Sequence, residues 1–360
     1  MKKIKLLIFA PQSIHTRKWI EPFLKDNDFE VLIVSFDSGN KEILNGLPAK
    51  IVKSKFGKFG YLFSVNEFKK IFKEFEPDII HAHFVTSYGY IASKMNFHPF
   101  ILSAWGSDIT LTQKNLFRKR LVKNILNLAD YVNFAGEYLK DMAIKVGFDP
   151  KKPHDVFQYG VDIENIVKYR KTFNDRDSVI VSPRGFAEVY NVKNQILAMK
   201  IIVEKSPTIK LLMYGGGDNY EAKKLVDELH LNNNVKIIGK VDQNTLWSQI
   251  GTSLMSLSVP HRDGTPLSLL ESMALGAFPI VSNIPPNREW IEDKRNGFLV
   301  DENSPEEIAQ VVISALENQE LIKSAFDQNL EIIKSRADYV KNIQKMKAIY
   351  KSYFEHVEEI

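Results

Sequence analysis

TSLMSLSVPHRDGTPLSLLESMALGAFPIVS, residues 252–282, sets one short helical pattern between two apolar runs of strand length. Strands that are apolar on both faces and alternate with helices imply a parallel sheet covered above and below. Within the stretch, Thr265 is suited to cap a helix, Pro266 to its first position and Gly276 to its end, predicting a helix of about ten residues. Glu271 stands among Leu267, Leu269, Leu270, Met273, Ala274 and Leu275, where burying an unpartnered carboxylate is costly, so it is expected to meet a partner in protein or ligand. Asp263 and Gly264 precede the helix, and its free N–H groups near Leu267 and Ser268 suit a phosphate.

The same alternation runs outward in both directions. IKLLIFA, FEVLIVSF, PDIIHAHF, PFILSAW, DYVNFAG and DVFQYG fill the first half, and SVIVSPRG, TIKLLMYGGG, NVKIIGKV, TSLMSLSV, AFPIVSN and NGFLVD the second. The expected fold class is α/β, with two doubly wound, Rossmann-like parallel-sheet domains whose strand ends face a cleft. Ligands of this class bind beyond the carboxyl ends of the strands. The polar stretch NIVKYRKTFNDRDS suggests a seam, giving residues 1–168 with a C-terminal helix 337–360, and 169–336. Val340, Ile343, Met346, Tyr350 and Phe354 fall near helical spacing, so the last helix is expected to pack back on the first domain.

With 360 residues, 44% of them apolar and 26% charged, the chain is an ordinary globular one. It has no cysteine, which excludes disulfides and thiolate chemistry and fits a reducing, cytoplasmic setting. No stretch approaches the roughly 18 apolar residues of a spanning helix. Residues 1–168 hold 25 Lys and Arg against 18 Asp and Glu, the remainder 23 against 26. KSKFGKFGYLF (53–63) and KNLFRKRLVKNIL (114–126) interleave that charge with apolar residues, as a solvated basic face or a peripheral contact with an anionic membrane surface would. No nucleic-acid recognition motif accompanies it.

Several chemistries fall on what is missing. The first strand-to-helix turn, APQSIHTRKW, has no glycine; Gly215-Gly216-Gly217 lacks dinucleotide spacing; and no glycine loop is followed by a Walker lysine. Dehydrogenase and P-loop ATPase are excluded. If both were helical, Asp263 and Glu271 would stand about 12 Å apart, too far for either hydrolytic geometry of a glycosidase. His81 and His83 share a strand face but have no evident third ligand, so no metal is expected.

RDGTPLSLLESMALGAFPIVS resembles the E-x7-E segment of the retaining, nucleotide-sugar-dependent glycosyltransferases of family 4 (glycosyl transferases group 1), two-domain GT-B enzymes. HAHFVTSYGYIAS, LSAWGSDI, YGVD, the Arg184 to Lys193-Asn194 segment, YGGGD and NGFLVD are similar to family segments and occur in family order. The resemblance implies that Arg184 and Lys193 meet the donor diphosphate, Glu271 its ribose, and Asp263 the donor sugar. Gly215, Gly216, Gly264, Thr265, Pro266 and Leu267 would line the donor. No tightly bound cofactor is implied; the nucleotide-diphosphate sugar is a co-substrate, and a glycan or lipid-linked glycan the acceptor.

This sequence departs from the pattern at four places. The first acid is Asp263 rather than Glu, and GFAEVYN lengthens the Arg184–Lys193 spacing. Trp105 stands where many members have a histidine, leaving His83 and His15 to cover for it. QSIHTRK replaces the glycine-rich first loop, placing Thr16 and Arg17, with Asp108, on the acceptor side. The rival expectations are a sugar-nucleotide epimerase and a catalytically silent sugar-nucleotide or glycan-binding protein.

Overall fold

The structure, a computed structural model, describes residues 2–38, 41–53, 57–112 and 115–358. It divides into two compact units, residues 1–159 with 340–360, and residues 160–339.

Among the described residues the first unit is built on seven parallel strands: β1 (Ile4–Phe9), β2 (Phe29–Phe36), β3 (Ala49–Val52), β4 (Ile79–His83), β5 (Phe100–Ala104), β6 (Tyr131–Phe134) and β7 (His154–Val156). Their order is β3-β2-β1-β4-β5-β6-β7, so the winding reverses between β1 and β4. The second holds six, β8 (Asp177–Ser182), β9 (Lys210–Tyr214), β10 (Val235–Gly239), β11 (Ser253–Ser258), β12 (Phe278–Ser282) and β13 (Phe298–Val300). There the order is β10-β9-β8-β11-β12-β13, reversing between β8 and β11. The strands β4, β5, β6, β11 and β12 are buried at every residue, as sheets covered on both faces require.

Strand β3 is absent from the sequence reading. Among the described residues it pairs only with β2, and it leaves Lys50 and Ile51 exposed, so AKIV carries no apolar run to find. The division also falls after Tyr159 rather than at residue 168. Val161, Ile166 and Tyr169 pack with Trp247, Leu270 and Met273 in the second unit, so the stretch that reads as a polar seam lays its few apolar side chains in that core.

The closing helix, Tyr339–Glu358, belongs to the first unit from Val340 onward. Ile343, Met346 and Tyr350 are buried, whereas Val340 is exposed. The Tyr350 ring meets Phe23 and Phe29, and its hydroxyl lies 2.5 Å from Nδ1 of the buried His81, whose Nε2 lies 2.8 Å from Ser103 Oγ. Lys347 and Lys351 pair with Asp26 and Asp28 beside this contact.

Tyr350→Phe removes the hydroxyl and strands a ring nitrogen in a dry setting. The substitution is expected to lower stability to urea by about 1–3 kcal/mol. A loss under about 0.5 kcal/mol, the scatter of neutral substitutions, would show that the bond does not hold the helix.

Candidate functional site

In the second unit, the expected residues come to the end of the sheet at its reversal point. Strand β8 stops at Ser182, and Arg184 stands two residues beyond; β11 stops at Ser258, and Asp263 lies in the loop that follows. Arg184 Nη1 donates to Asp263 Oδ2 at 2.7 Å and to Ser268 Oγ at 3.2 Å. Its guanidinium carbon lies 4.7 Å from the centre of the Tyr190 ring. Both partners of the ion pair are largely shielded, with side chains 15% and 11% exposed, so the pair is held more firmly than one in open solvent. Asp263 Oδ1 accepts from Gly264 N at 2.8 Å, which fixes the carboxylate in place.

Two glycines make this turn possible. Gly185 (φ +89°) donates its N–H to Tyr214 O at 2.7 Å, and Phe186 N–H bonds Gly216 O at 3.0 Å. A Cβ on Gly215 (φ +112°) would stand 2.4 Å from Gly185 N. The turn after β9 therefore buttresses the turn that carries Arg184, backbone against backbone. Gly216 has open space at its own Cβ position.

The helix after Asp263 spans Leu267–Leu275 and ends at Gly276 in the left-handed conformation. Its start corrects the expectation: Pro266 occupies the cap position without a side-chain cap, and Thr265 Oγ1 is buried with no hydrogen-bond partner among the described residues. Glu271 is half-buried, not enclosed, and accepts from Gln243 Nε2 at 3.4 Å. It lies one face away from the wall of Leu269, Leu270, Met273 and Ala274 that fills the core.

Lys193 is exposed in the first turn of helix Val192–Lys205. It lines a cavity of about 570 Å³ with Phe186, Glu188, Asp218, Glu221 and His261; Arg184, Asp263 and Glu271 line none of it. The structure thus joins Arg184, Asp263 and the loop through Leu267, and sets Lys193 on a neighbouring turn. Tyr190 and Gln243 carry no sequence signal for the site, and Ser268, expected there through its backbone N–H, also meets Arg184 through its hydroxyl. Tyr190 lies inside the lengthened spacing GFAEVYN, which folds into the 3-10 turn Glu188–Tyr190 and brings its ring to Arg184.

In the first unit the acceptor-side candidates separate into two groups. Thr16 and Arg17 are committed locally: Ser13 caps helix Ile14–Leu24 through Thr16, and Arg17 bonds Glu21 and the carbonyls of Ile43 and Asn45. Asp108 is buried and accepts N–H bonds from Val85, Gly106 and Trp105, while burial raises its pKa above the usual carboxylate value. It shapes the turn that carries Trp105. His15, His83 and Trp105 form the second group, with Trp19 and Tyr159. His83 and Trp105 ring centres lie 5.5 Å apart, Trp105 and Tyr159 6.2 Å, and His15 Nδ1 is 2.7 Å from the Tyr159 hydroxyl. His83 Nε2 and Trp105 Nε1 are buried with no hydrogen-bond partner among the described residues. His81 and His83 both lie within β4, and both His81 nitrogens are engaged by Tyr350 and Ser103. Among the described residues no three potential ligands converge as a metal site would.

Two doubly wound parallel units of this strand order are the GT-B architecture. The chain belongs to the family of glycosyl transferases group 1, whose model matches residues 164–346; residues 3–135 match the glycosyl transferase 4-like model. It is 26% identical over 246 residues to an uncharacterized glycosyltransferase of Methanocaldococcus jannaschii, covering 65% of this chain and 62% of that protein. It is 22% identical over 259 residues to N-acetyl-alpha-D-glucosaminyl L-malate synthase of Bacillus anthracis, covering 68% and 66%. The chain thus spans about two thirds or less of the length of these relatives. The fold matches Anabaena HepE in complex with UDP, with a TM-score of 0.82, 16% identity, and coverage of 97% of this chain and 100% of that one. No helix among the described residues is long and apolar enough to cross a membrane.

Burial lowers the pKa of His83 from 6.5 to about 3, so in the fold it stays neutral where the unfolded chain takes up a proton. As pH falls below about 6.5 the unfolded state binds the extra proton, and stability falls with it, by up to about 1.4 kcal/mol per pH unit. Between pH 7 and pH 5 the wild type should lose about 2 kcal/mol more than His83→Phe, measured by denaturant titration. Equal losses would mean that His83 titrates alike in both states.

Proposed function

We propose that the chain transfers a sugar from a nucleotide-diphosphate donor to a hydroxyl of a glycan or lipid-linked glycan, with retention at the anomeric carbon. The bond from that carbon to the diphosphate breaks as the acceptor oxygen bonds to the same face, and the acceptor proton leaves with the diphosphate. The observation that carries this reading is Arg184, held by Asp263 and Ser268 over Tyr190 at the reversal point of the second sheet. A guanidinium fixed in advance needs no reorganisation when charge develops on a departing diphosphate.

In this reading Arg184 and Lys193 take the diphosphate, and Asp263 positions Arg184 and reaches the donor sugar. Glu271 accepts from the ribose, and the segment Gly264–Leu267 with Gly216 supplies backbone contacts. The Thr265 hydroxyl, buried and unpartnered, is a group that a donor oxygen would satisfy. His15, His83 and Trp105 belong to the acceptor side. The donor is a hexose nucleotide, and the UDP held by the Anabaena protein makes UDP-sugars the first to test. The product belongs to cell-surface glycan synthesis at the cytoplasmic face of a membrane. No tightly bound cofactor is invoked.

Lys193 is exposed, so Lys193→Ala should change stability by less than about 0.5 kcal/mol while cutting turnover by about 10². Arg184→Ala should cut turnover at least as far, by about 10² or more. It should also cost about 1–3 kcal/mol of stability, because a shielded carboxylate loses its partner. Full turnover in both variants would remove the donor-site assignment. Glu271→Gln keeps the bond to Gln243 sterically possible and should leave stability nearly unchanged, while UDP-sugar affinity drops by about 1.5–3 kcal/mol. Calorimetric binding and thermal unfolding on this variant separate a ribose contact from a purely structural acid.

A further inference from the structure

Helix Leu116–Leu128 opens with Leu116 and Phe117, 86% and 79% exposed, and Leu111 before it is also exposed. Its sequence, LFRKRLVKNILNL, holds Arg118, Lys119, Arg120 and Lys123 and no carboxylate. The exposure is not that of a frayed end. Asn115 Oδ1 accepts from Arg118 N at 3.0 Å, and Val122, Ile125 and Leu126 bury the inner face. Lys114 lies outside the described residues, as do residues 54–56 of the other basic, aromatic segment. That segment ends on Leu62 and Phe63, both exposed.

Both segments pack on one helical stretch, Phe84–Ser93. The Tyr61 ring lies edge-on to Tyr90 at 5.6 Å, and a Cβ on Gly89 would stand 3.3 Å from Ile125 Cγ2. They therefore share the same helical layer of the first unit. A single exposed leucine needs no account. Two adjacent large apolar side chains at the capped tip of a helix that carries four cations and no acid match a lipid interface, where apolar groups enter the acyl boundary and cations meet phosphates.

We propose that the Leu116–Phe117 tip, with Arg118, Lys119 and Arg120 following it, docks the first unit on an anionic lipid bilayer. A second copy of the chain is disfavoured as occupant, because a two-fold contact would set this uniformly positive tip against itself. The proposal deepens the reading of a lipid-linked acceptor, although the docking itself rests on this surface alone.

Flotation of the full chain with phosphatidylcholine vesicles, with and without phosphatidylglycerol, tests it. The wild type should float with the anionic vesicles and be released by high salt. The double variant L116S with F117S should partition at least about tenfold more weakly, with unchanged thermal unfolding. Replacing Arg118, Lys119 and Arg120 by glutamate should abolish the preference for phosphatidylglycerol. The proposal is overturned if the wild type does not float, floats equally on neutral vesicles, or floats unchanged without Leu116 and Phe117. It is also overturned if the double variant instead dissolves a concentration-dependent dimer seen by ultracentrifugation. Anionic flotation by a chain that binds no nucleotide sugar would support the docking surface and overturn the transferase reading.

Discussion

Parallel pairing fixes where this molecule can do chemistry. Every strand of such a sheet delivers its carboxyl end to one edge, and where the winding reverses, adjacent loops leave toward opposite faces and open a gap between them. The second unit reverses between β8 and β11, so Arg184 and Asp263, 79 residues apart in sequence, meet across that gap. Tyr190, Ser268 and the backbone contact of Gly185 with the turn at Gly215 all serve to hold one guanidinium still. The first unit reverses between β1 and β4, and the same edge gathers His15, His83, Trp105 and Tyr159.

The strands were legible because burial on both faces forces uninterrupted apolar runs; β3 was not, because an edge strand has no such obligation. The cation and acid of the second unit were legible through their motif, but not their bond to each other, since pairing over a long separation leaves no local signature. Thr265 shows the limit of cap rules. Its residue type suits a cap, yet the backbone enters the helix one residue later, through Pro266, and the hydroxyl is left without a partner. Glu271 reads as enclosed because its sequence neighbours are apolar; on the helix those neighbours turn inward while the carboxylate stays at the rim beside Gln243.

On the acceptor side the same physics divides the candidates. Thr16 spends its hydroxyl on Ser13, Arg17 its guanidinium on Glu21 and the Ile43 carbonyl, and Asp108 its carboxylate on backbone N–H groups, which sequence chemistry alone cannot distinguish from readiness for a ligand. Asp108 nonetheless matters to the site, because it accepts the N–H of Trp105 and Gly106 and so sets the turn from which the indole projects.

The chain enters the second unit at Gly160 and leaves it at Tyr339, where Val161 N bonds Ala337 O at 2.7 Å and Tyr339 N bonds Val161 O at 3.0 Å. The second unit is therefore one continuous piece of chain, while the first is made in two instalments. On the ribosome, residues 1–159 emerge with the partner of His81 still unmade, and all of 160–339 must follow before Tyr350 exists. At ordinary elongation rates that interval is on the order of ten seconds or more. Through it the nascent first unit lacks the ring that packs on Phe23 and Phe29, so the later-made unit is the first that has every residue it needs to finish folding.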